Sequence, residues 1–188
     1  MIEENIKILL QKIEGNNILR EGLEETPSRV RRMYDEVFDG YGKSAEEVLS
    51  KTFDKEVDDD FGEANNGMVI VKDIDFFSHC EHHMVPFYGK VHIGYIPRGR
   101  VVGLSKFVRL VNIYAHRLQV QERLTEQIAN AIYSNLNCEG CIVIIEAIHL
   151  CMVMRGVKNA SAKTITSVIR GDFEDMALRN EFMGLIRR

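Results

Sequence analysis

Six consecutive residues, Ser78-His79-Cys80-Glu81-His82-His83, hold three of the chain's six histidines and one of its four cysteines. Cysteine thiolate and neutral imidazole are the ligand types that zinc prefers. Cys80 and His83 stand three residues apart, so one turn of backbone can aim both at a single ion. A third ligand has to come from elsewhere, and Cys151 is the best donor. It lies in the run from Ile144 to Arg155, which is apolar and partly β-branched and reads as a buried strand. Alternation along a strand puts His149, Cys151, Val153 and Arg155 on one face, so a metal held by Cys151 has His149 beside it. Two cysteines and one histidine leave the fourth position of a tetrahedral zinc open to water, the arrangement of a catalytic site. A closed structural site with His79 or His82 as fourth ligand fits the same spacing, and Cys151 alone could be a small core hydrophobe.

Other residues suit an anionic or nucleobase ligand. Gly103-Leu104-Ser105-Lys106 opens a helical pattern with Ser105 as a natural N-cap, and a helix N-terminus flanked by Lys106 and Arg109 suits phosphate oxygens. Arg155 would join from the face carrying His149 and Cys151. An ordinary cap with solvated cations is the plainer reading. Gln119-Val120-Gln121-Glu122 begins the next helical pattern, where the helix dipole alone favours a carboxylate. The Glu122 carboxylate could also accept from a donor-donor edge such as guanine N1–H and its 2-amino group. Arg29, Arg31 and Arg32 form a basic cluster on an earlier helix, equally readable as a solvated face. Cys138-Glu139-Gly140-Cys141 is an isolated Cys-x-x-Cys and reads as incidental thiols.

The elements that must position these groups follow from the apolar periodicity. The 188 residues, 45% hydrophobic and 28% charged, suffice for one domain with a sizeable core and a small appendage. Residues 2–14 form an amphipathic helix. A second begins at Thr26-Pro27, with Thr26 as N-cap, and closes at Gly40; Ser44 and Glu47 suggest a capping box for a short third. Lys55 to Gly67 is acidic and apolar-poor and reads as a linker, dividing an N-terminal helical region (1–66) from a catalytic domain (67–188). From there the expected order is β-β-α-α-β-β-α: strands at 68–76, 90–96, 141–154 and 164–170, paired helices at 105–118 and 120–136, and a last helix at 175–186, with the histidine-rich motif in the first turn. This is an α+β class. Two helices on one face leave the other face of the sheet open, and such a sheet often closes into a barrel by joining copies of itself. No apolar run approaches the ~20 residues of a membrane span, no signal peptide is apparent, and the four cysteines suit a reducing compartment, so a cytoplasmic protein without membrane contact is expected. The net charge of −4 offers no broad nucleic-acid surface.

In this order and spacing, Cys80-Glu81-His82-His83, Gly103-Leu104-Ser105-Lys106, Gln119 through Thr125, and His149-Leu150-Cys151 through Arg155-Gly156 resemble type I GTP cyclohydrolase, over essentially Thr26 to Arg188. The resemblance implies a tunnelling-fold subunit in a toroidal homodecamer with active sites between subunits. It implies Zn2+ on Cys80, His83 and Cys151, and acid/base roles for His82 and His149. It further implies triphosphate contacts from Ser105, Lys106, Arg109 and Arg155, and more loosely from Arg29 and Arg32, with Gln121 and Glu122 reading guanine. The implied reaction converts GTP and water to formate and 7,8-dihydroneopterin triphosphate, the entry to folate or tetrahydrobiopterin; regulation by a pterin or a partner protein is left open. His79 departs from the family pattern and is expected only to flank the metal. Two rivals remain at this level. His79-Cys80-Glu81 with Cys138-x-x-Cys141 formally satisfies a zinc deaminase, although Asn137 stands where proline is expected. The other is a zinc-stabilised assembly module with no activity.

Overall fold

The computed structural model describes residues 1–54 and 67–187. The chain divides into two units, Met1–Asp39 and Gly40–Arg188. In the first, α1 (Ile2–Glu14) ends where Gly15 takes the left-handed conformation, φ 68°, and its N–H caps Gln11 O. The next helix, α2 (Thr26–Val37), starts at its expected cap residue, so the cap itself falls one residue earlier. Glu25 is the N-cap and no side chain caps it, because a 3-10 turn at Glu21–Leu23 delivers the backbone already helical. A threonine cap needs an extended residue there. The helix also stops before Gly40, with Phe38 as its C-cap. Gly40 opens the second unit, where a Cβ would meet Ile113 O at 2.2 Å and His116 O at 2.8 Å.

The second unit runs α3 (Ala45–Leu49), β1 (Thr52–Asp54), β2 (Val69–Cys80), β3 (Pro86–Ile96), β4 (Arg100–Val102), α4 (Ser105–Ala115), β5 (Leu118–Gln119), α5 (Gln121–Leu136), β6 (Gly140–His149), α6 (Leu150–Val153), β7 (Thr164–Gly171) and α7 (Met176–Ile186). The Ser44 hydroxyl caps α3 by accepting from Glu47 N–H. Residues 40–54 therefore pack with the sheet: Leu49 is buried in its core, and β1 pairs antiparallel with β4. The expected linker at 55–67 lies, all but Gly67, outside the described residues, and with it the residues before the division between 66 and 67.

The long strands form an antiparallel sheet in the order β2-β3-β6-β7, with the two-residue β5 added parallel to the free edge of β2. This is the ββααββ order of a tunnelling fold. Alternation does the sorting: Val91, Ile93 and Tyr95 point to one face and are at most 1% exposed, as are Phe107, Leu110, Val111, Leu124, Ile128 and Ile132 from α4 and α5, which cover it. Each such side chain contributes roughly 1.5–3 kcal/mol by leaving water. The far face is not wholly open, as the sequence suggested. There Phe173, in the 3-10 turn Asp172–Glu174, and Phe182 of α7 cover Ile96, Ile142 and Ile144, while Phe77 and Ile165 beyond them stay over 60% exposed.

Three boundaries differ where they touch the site. First, β2 runs on through Ser78-His79-Cys80, so only residues 81–84 turn. Second, Ser105 is the first residue of α4 and Leu104 its N-cap, with Lys106 N–H bonded to Gly103 O at 2.8 Å in a tight first turn. Third, β6 ends at His149. Its neighbours run out there: β3 pairs no further than Phe87 with His149, and β7 no further than Thr164 with Ala147. Without a ladder the chain coils into α6, so Cys151 reaches the site from a helical turn and not from a strand face.

Within the sheet, a Cβ on Gly89 would lie 1.9 Å from Glu146 O and 2.8 Å from Ala147 Cα. Both obstacles are backbone of the neighbouring strand and cannot swing aside. Gly89→Ala is expected to cost about 1–3 kcal/mol, read as a fall of several degrees in Tm. An unchanged Tm would show that β3 and β6 separate more freely than this packing allows.

Candidate active site

The metal-capable group is built on the turn that follows β2. Cys80 O accepts from Met84 N–H at 2.8 Å and His83 N–H at 3.3 Å, and Cys80 N–H donates to Val85 O at 3.0 Å. Met84 closes the turn at φ 53°, and Glu81 N–H ties it to Gln119 O on β5. This folding places the Cys80 thiol 3.8 Å from His83 Nδ1, and α6 brings in Cys151: one ligand atom from each of Cys80, His83 and Cys151 lies within 4.8 Å of the others. Burial, followed by the neighbouring Cys80 sulfur, pushes the Cys151 thiol pKa up. Two thiolates pressed together in this way repel, and a divalent cation between them removes that repulsion, so the donor set fits zinc.

Among the described residues neither His79 nor His82 belongs to this group. His79 lies next to Cys80 on β2, so alternation sends its side chain to the opposite face of the sheet. His82 is exposed, with Nδ1 3.7 Å from Cys80 Sγ. Cys138 and Cys141 are core thiols, 4% and 0% exposed, and Cys141 Sγ donates to Ala129 O. The pairing that a deaminase needs is therefore not the one that converges.

His149, the last residue of β6, stands two residues from Cys151. Its ring lies flat on Phe87, with centroids 4.6 Å apart and planes within 2°. Its Nε2 is 2.7 Å from Oε1 of Gln121, a glutamine only 1% exposed at the first position of α5. Burial holds the His149 pKa below its ordinary value, and the Glu122 carboxylate on the same turn pushes it back up. That first turn also reaches the cysteine-histidine turn: Arg123 pairs with Glu81 and donates to Gln119 Oε1 and Leu118 O. The guanidinium holds the Glu81 carboxyl below the usual carboxylate range.

Thus α5 begins between the two halves of the site, with Gln121 on His149 and Arg123 on the cysteine-histidine turn. Sequence reasoning missed Glu81, Arg123 and Phe87 as parts of this frame. Glu81 and Arg123 carried a signal, since each adjoins a residue already singled out; Phe87 carried none.

The remaining candidates are more dispersed. Arg155 Nη1 lies 3.3 Å from His83 Nε2, at the edge of the metal group. Ser105, Lys106 and Arg109 occupy the first two turns of α4, and Arg109 lines a cavity of about 310 Å³ with Lys43, Ser44 and Asn112. Arg29 and Arg32 belong to the N-terminal unit on α2, where Arg29 pairs with Glu25 at 2.7 Å.

The same family is found by comparison. A family model described as GTP cyclohydrolase I matches residues 2–187. The chain belongs to that family. A GTP cyclohydrolase 1 from Desulforamulus reducens is 54% identical over 189 residues, covering 100% of this chain and 96% of its own. One from Clostridium perfringens (strain 13 / Type A) is 50% identical over 186 residues, 98% of this chain and 96% of its own. One from Streptomyces coelicolor is 53% identical over 174 residues, 92% of this chain and 83% of its own. Among the described residues no helix is long and apolar enough to cross a membrane.

The proximity of two thiols carries a prediction. Without metal, dissolved oxygen can take two electrons and two protons from Cys80 and Cys151 and leave a disulfide. Air-exposed apo-protein is expected to contain this bond and to resist reactivation by zinc until it is reduced. Peptide mapping that finds both thiols free in inactive apo-protein would contradict it.

Proposed function

We propose that this member of the GTP cyclohydrolase I family hydrolyses GTP at guanine C8 with zinc as its metal, giving formate and 7,8-dihydroneopterin triphosphate with net consumption of one water. The observation that carries the reading is the convergence of Cys80, His83 and Cys151 with His149 held two residues away. Bound there, zinc supplies the Lewis acidity that makes water a nucleophile near neutral pH, where free water has a pKa of ~15.7.

The chain's own residues do the rest. His149 gives a proton to guanine N7 as C8 is attacked, so that the ring electrons have somewhere to go. The Glu122 carboxylate accepts from N1–H and the 2-amino group and fixes the base. His82, exposed beside the metal group, exchanges protons with the ribose oxygen during the later opening and rearrangement of the sugar. Ser105, Lys106, Arg109 and Arg155, with Arg29 and Arg32, neutralise the triphosphate. Apolar side chains exposed on the uncovered part of the far face, Phe77 and Ile165 among them, support closure of the sheet with further copies in a homodecamer, whose sites lie between subunits. Ten chains of 21.6 kDa correspond to about 216 kDa by light scattering. We place the enzyme in the cytoplasm.

Metal removal tests the reading. Chelation is expected to abolish formate release, and zinc added under reducing conditions to restore it. Full turnover by protein shown to be free of metal would overturn it.

A further inference from the structure

The side chain of Gln121 is enclosed by a hydrogen-bond network that fixes which side of the amide donates and which accepts. Its Nε2 faces three oxygens, Ile145 O at 3.0 Å, Thr164 O at 3.1 Å and Thr166 Oγ1 at 3.1 Å. Two of these are carbonyls, which only accept, so the amide nitrogen must be on that side. The threonines agree. Thr125 Oγ1 donates its single proton to Gln121 O at 2.7 Å, so in the 2.6 Å contact between the two hydroxyls Thr166 must be the donor. The Thr166 oxygen is then left to accept from Gln121. With the amide so oriented, Oε1 is the atom 2.7 Å from His149 Nε2. A carbonyl oxygen has no proton to give, so Nε2 of His149 must carry one. Phe87, stacked flat on the ring, holds the imidazole plane in that alignment.

We infer that Gln121 is a positioning residue: it locks His149 as the Nε2–H tautomer and leaves Nδ1 as the nitrogen that meets the substrate. The inference rests on the proposed function for its catalytic consequence: Nδ1 is then the atom that carries the transferable proton in the imidazolium, gives it to guanine N7 and is left unprotonated in the neutral ring. It also removes the Gln121 amide from direct reading of guanine. The two amide protons are already shared among three acceptors, and the side chain is buried. Base selection through side chains then falls to Glu122.

Two measurements on the zinc-loaded enzyme test this. Nitrogen-15 spectra of histidine-labelled protein, with His149 assigned by its loss in His149→Ala, are expected to show a protonated Nε2 and an unprotonated Nδ1 in the neutral ring. The opposite tautomer overturns the inference. This spectrum needs no turnover, so a protein inactive on GTP would sink the proposed function while still deciding the tautomer. The second measurement is kinetic. Gln121→Met keeps the length and loses both ends of the network; kcat is expected to fall about 10- to 100-fold, part of what a general acid contributes. KM for GTP and the preference for GTP over ITP should change by less than about threefold, which is within a substitution that leaves base binding intact. In a His149→Ala background the same substitution should cost less than about twofold, since the two residues act as one unit. A raised KM at unchanged kcat, a shifted GTP/ITP preference, or additive losses would each show a different role for Gln121. Should Gln121→Met fail to fold, the tautomer spectrum of the unaltered enzyme still decides the inference.

Discussion

Cys151→Ser is expected to lose zinc and all measurable formate release, and Cys80→Ser and His83→Ala to do the same. Zinc needs its ligands deprotonated and simultaneously in place, and thiolate is the softer and stronger donor for it. A serine hydroxyl at either cysteine position stays protonated near neutral pH. The three ligand-capable atoms lie within 4.8 Å of one another, and among the described residues no fourth histidine or cysteine belongs to that group. By contrast, Cys138→Ser and Cys141→Ser should keep both zinc and turnover. Cys141 Sγ already donates to Ala129 O, and a serine hydroxyl can make the same bond. Metal analysis alongside a formate assay separates the cases: zinc retained in Cys151→Ser would remove the site, and zinc lost in Cys141→Ser would revive a deaminase-like pairing.

Glu122→Gln is expected to keep zinc and assembly yet lose most turnover of GTP. As a carboxylate, Glu122 can accept from both guanine N1–H and the 2-amino group. A glutamine offers one acceptor and sets a donor against a donor. Losing a charge-assisted bond while leaving a buried donor unmatched costs roughly 2–4 kcal/mol, which is about 30- to 1,000-fold in kcat/KM. ITP lacks the 2-amino group and makes fewer of these bonds to begin with, so its loss should be smaller. Both substrates are to be measured on both proteins. An equal fold-loss would mean that Glu122 does not read the 2-amino group, and a wild-type rate for GTP would take it out of the site.

Much of this was legible in the sequence for simple reasons. The strands and paired helices announce themselves through period: Val91, Ile93 and Tyr95 alternate, while Leu124, Ile128 and Ile132 recur at helical spacing, and both sets are buried as that pattern requires. The Cys80/His83 pair was legible because both ligand-capable side chains come from one turn. Cys151 was rightly chosen as the third ligand-capable residue, but by an argument the structure replaces. Strand alternation was meant to set it beside His149, whereas the strand stops at His149 and a helical turn delivers the thiol. That ending depends on where β3 and β7 run out, which is tertiary information no local pattern contains. The same holds for the β1–β4 pair, whose partners are some fifty residues apart (Thr52 with Val102), and for the frame around His149. Gln121 reads locally as the polar start of a helix. Its burial against β6 and β7 shows only once the sheet is assembled.

This site is expected to open the imidazole ring of GTP. Zinc-loaded protein incubated with GTP should release one formate for each pterin formed, the pterin seen by its fluorescence after oxidation, with no ammonia. Ammonia without formate, or GTP recovered intact from protein that holds its zinc, would contradict the account.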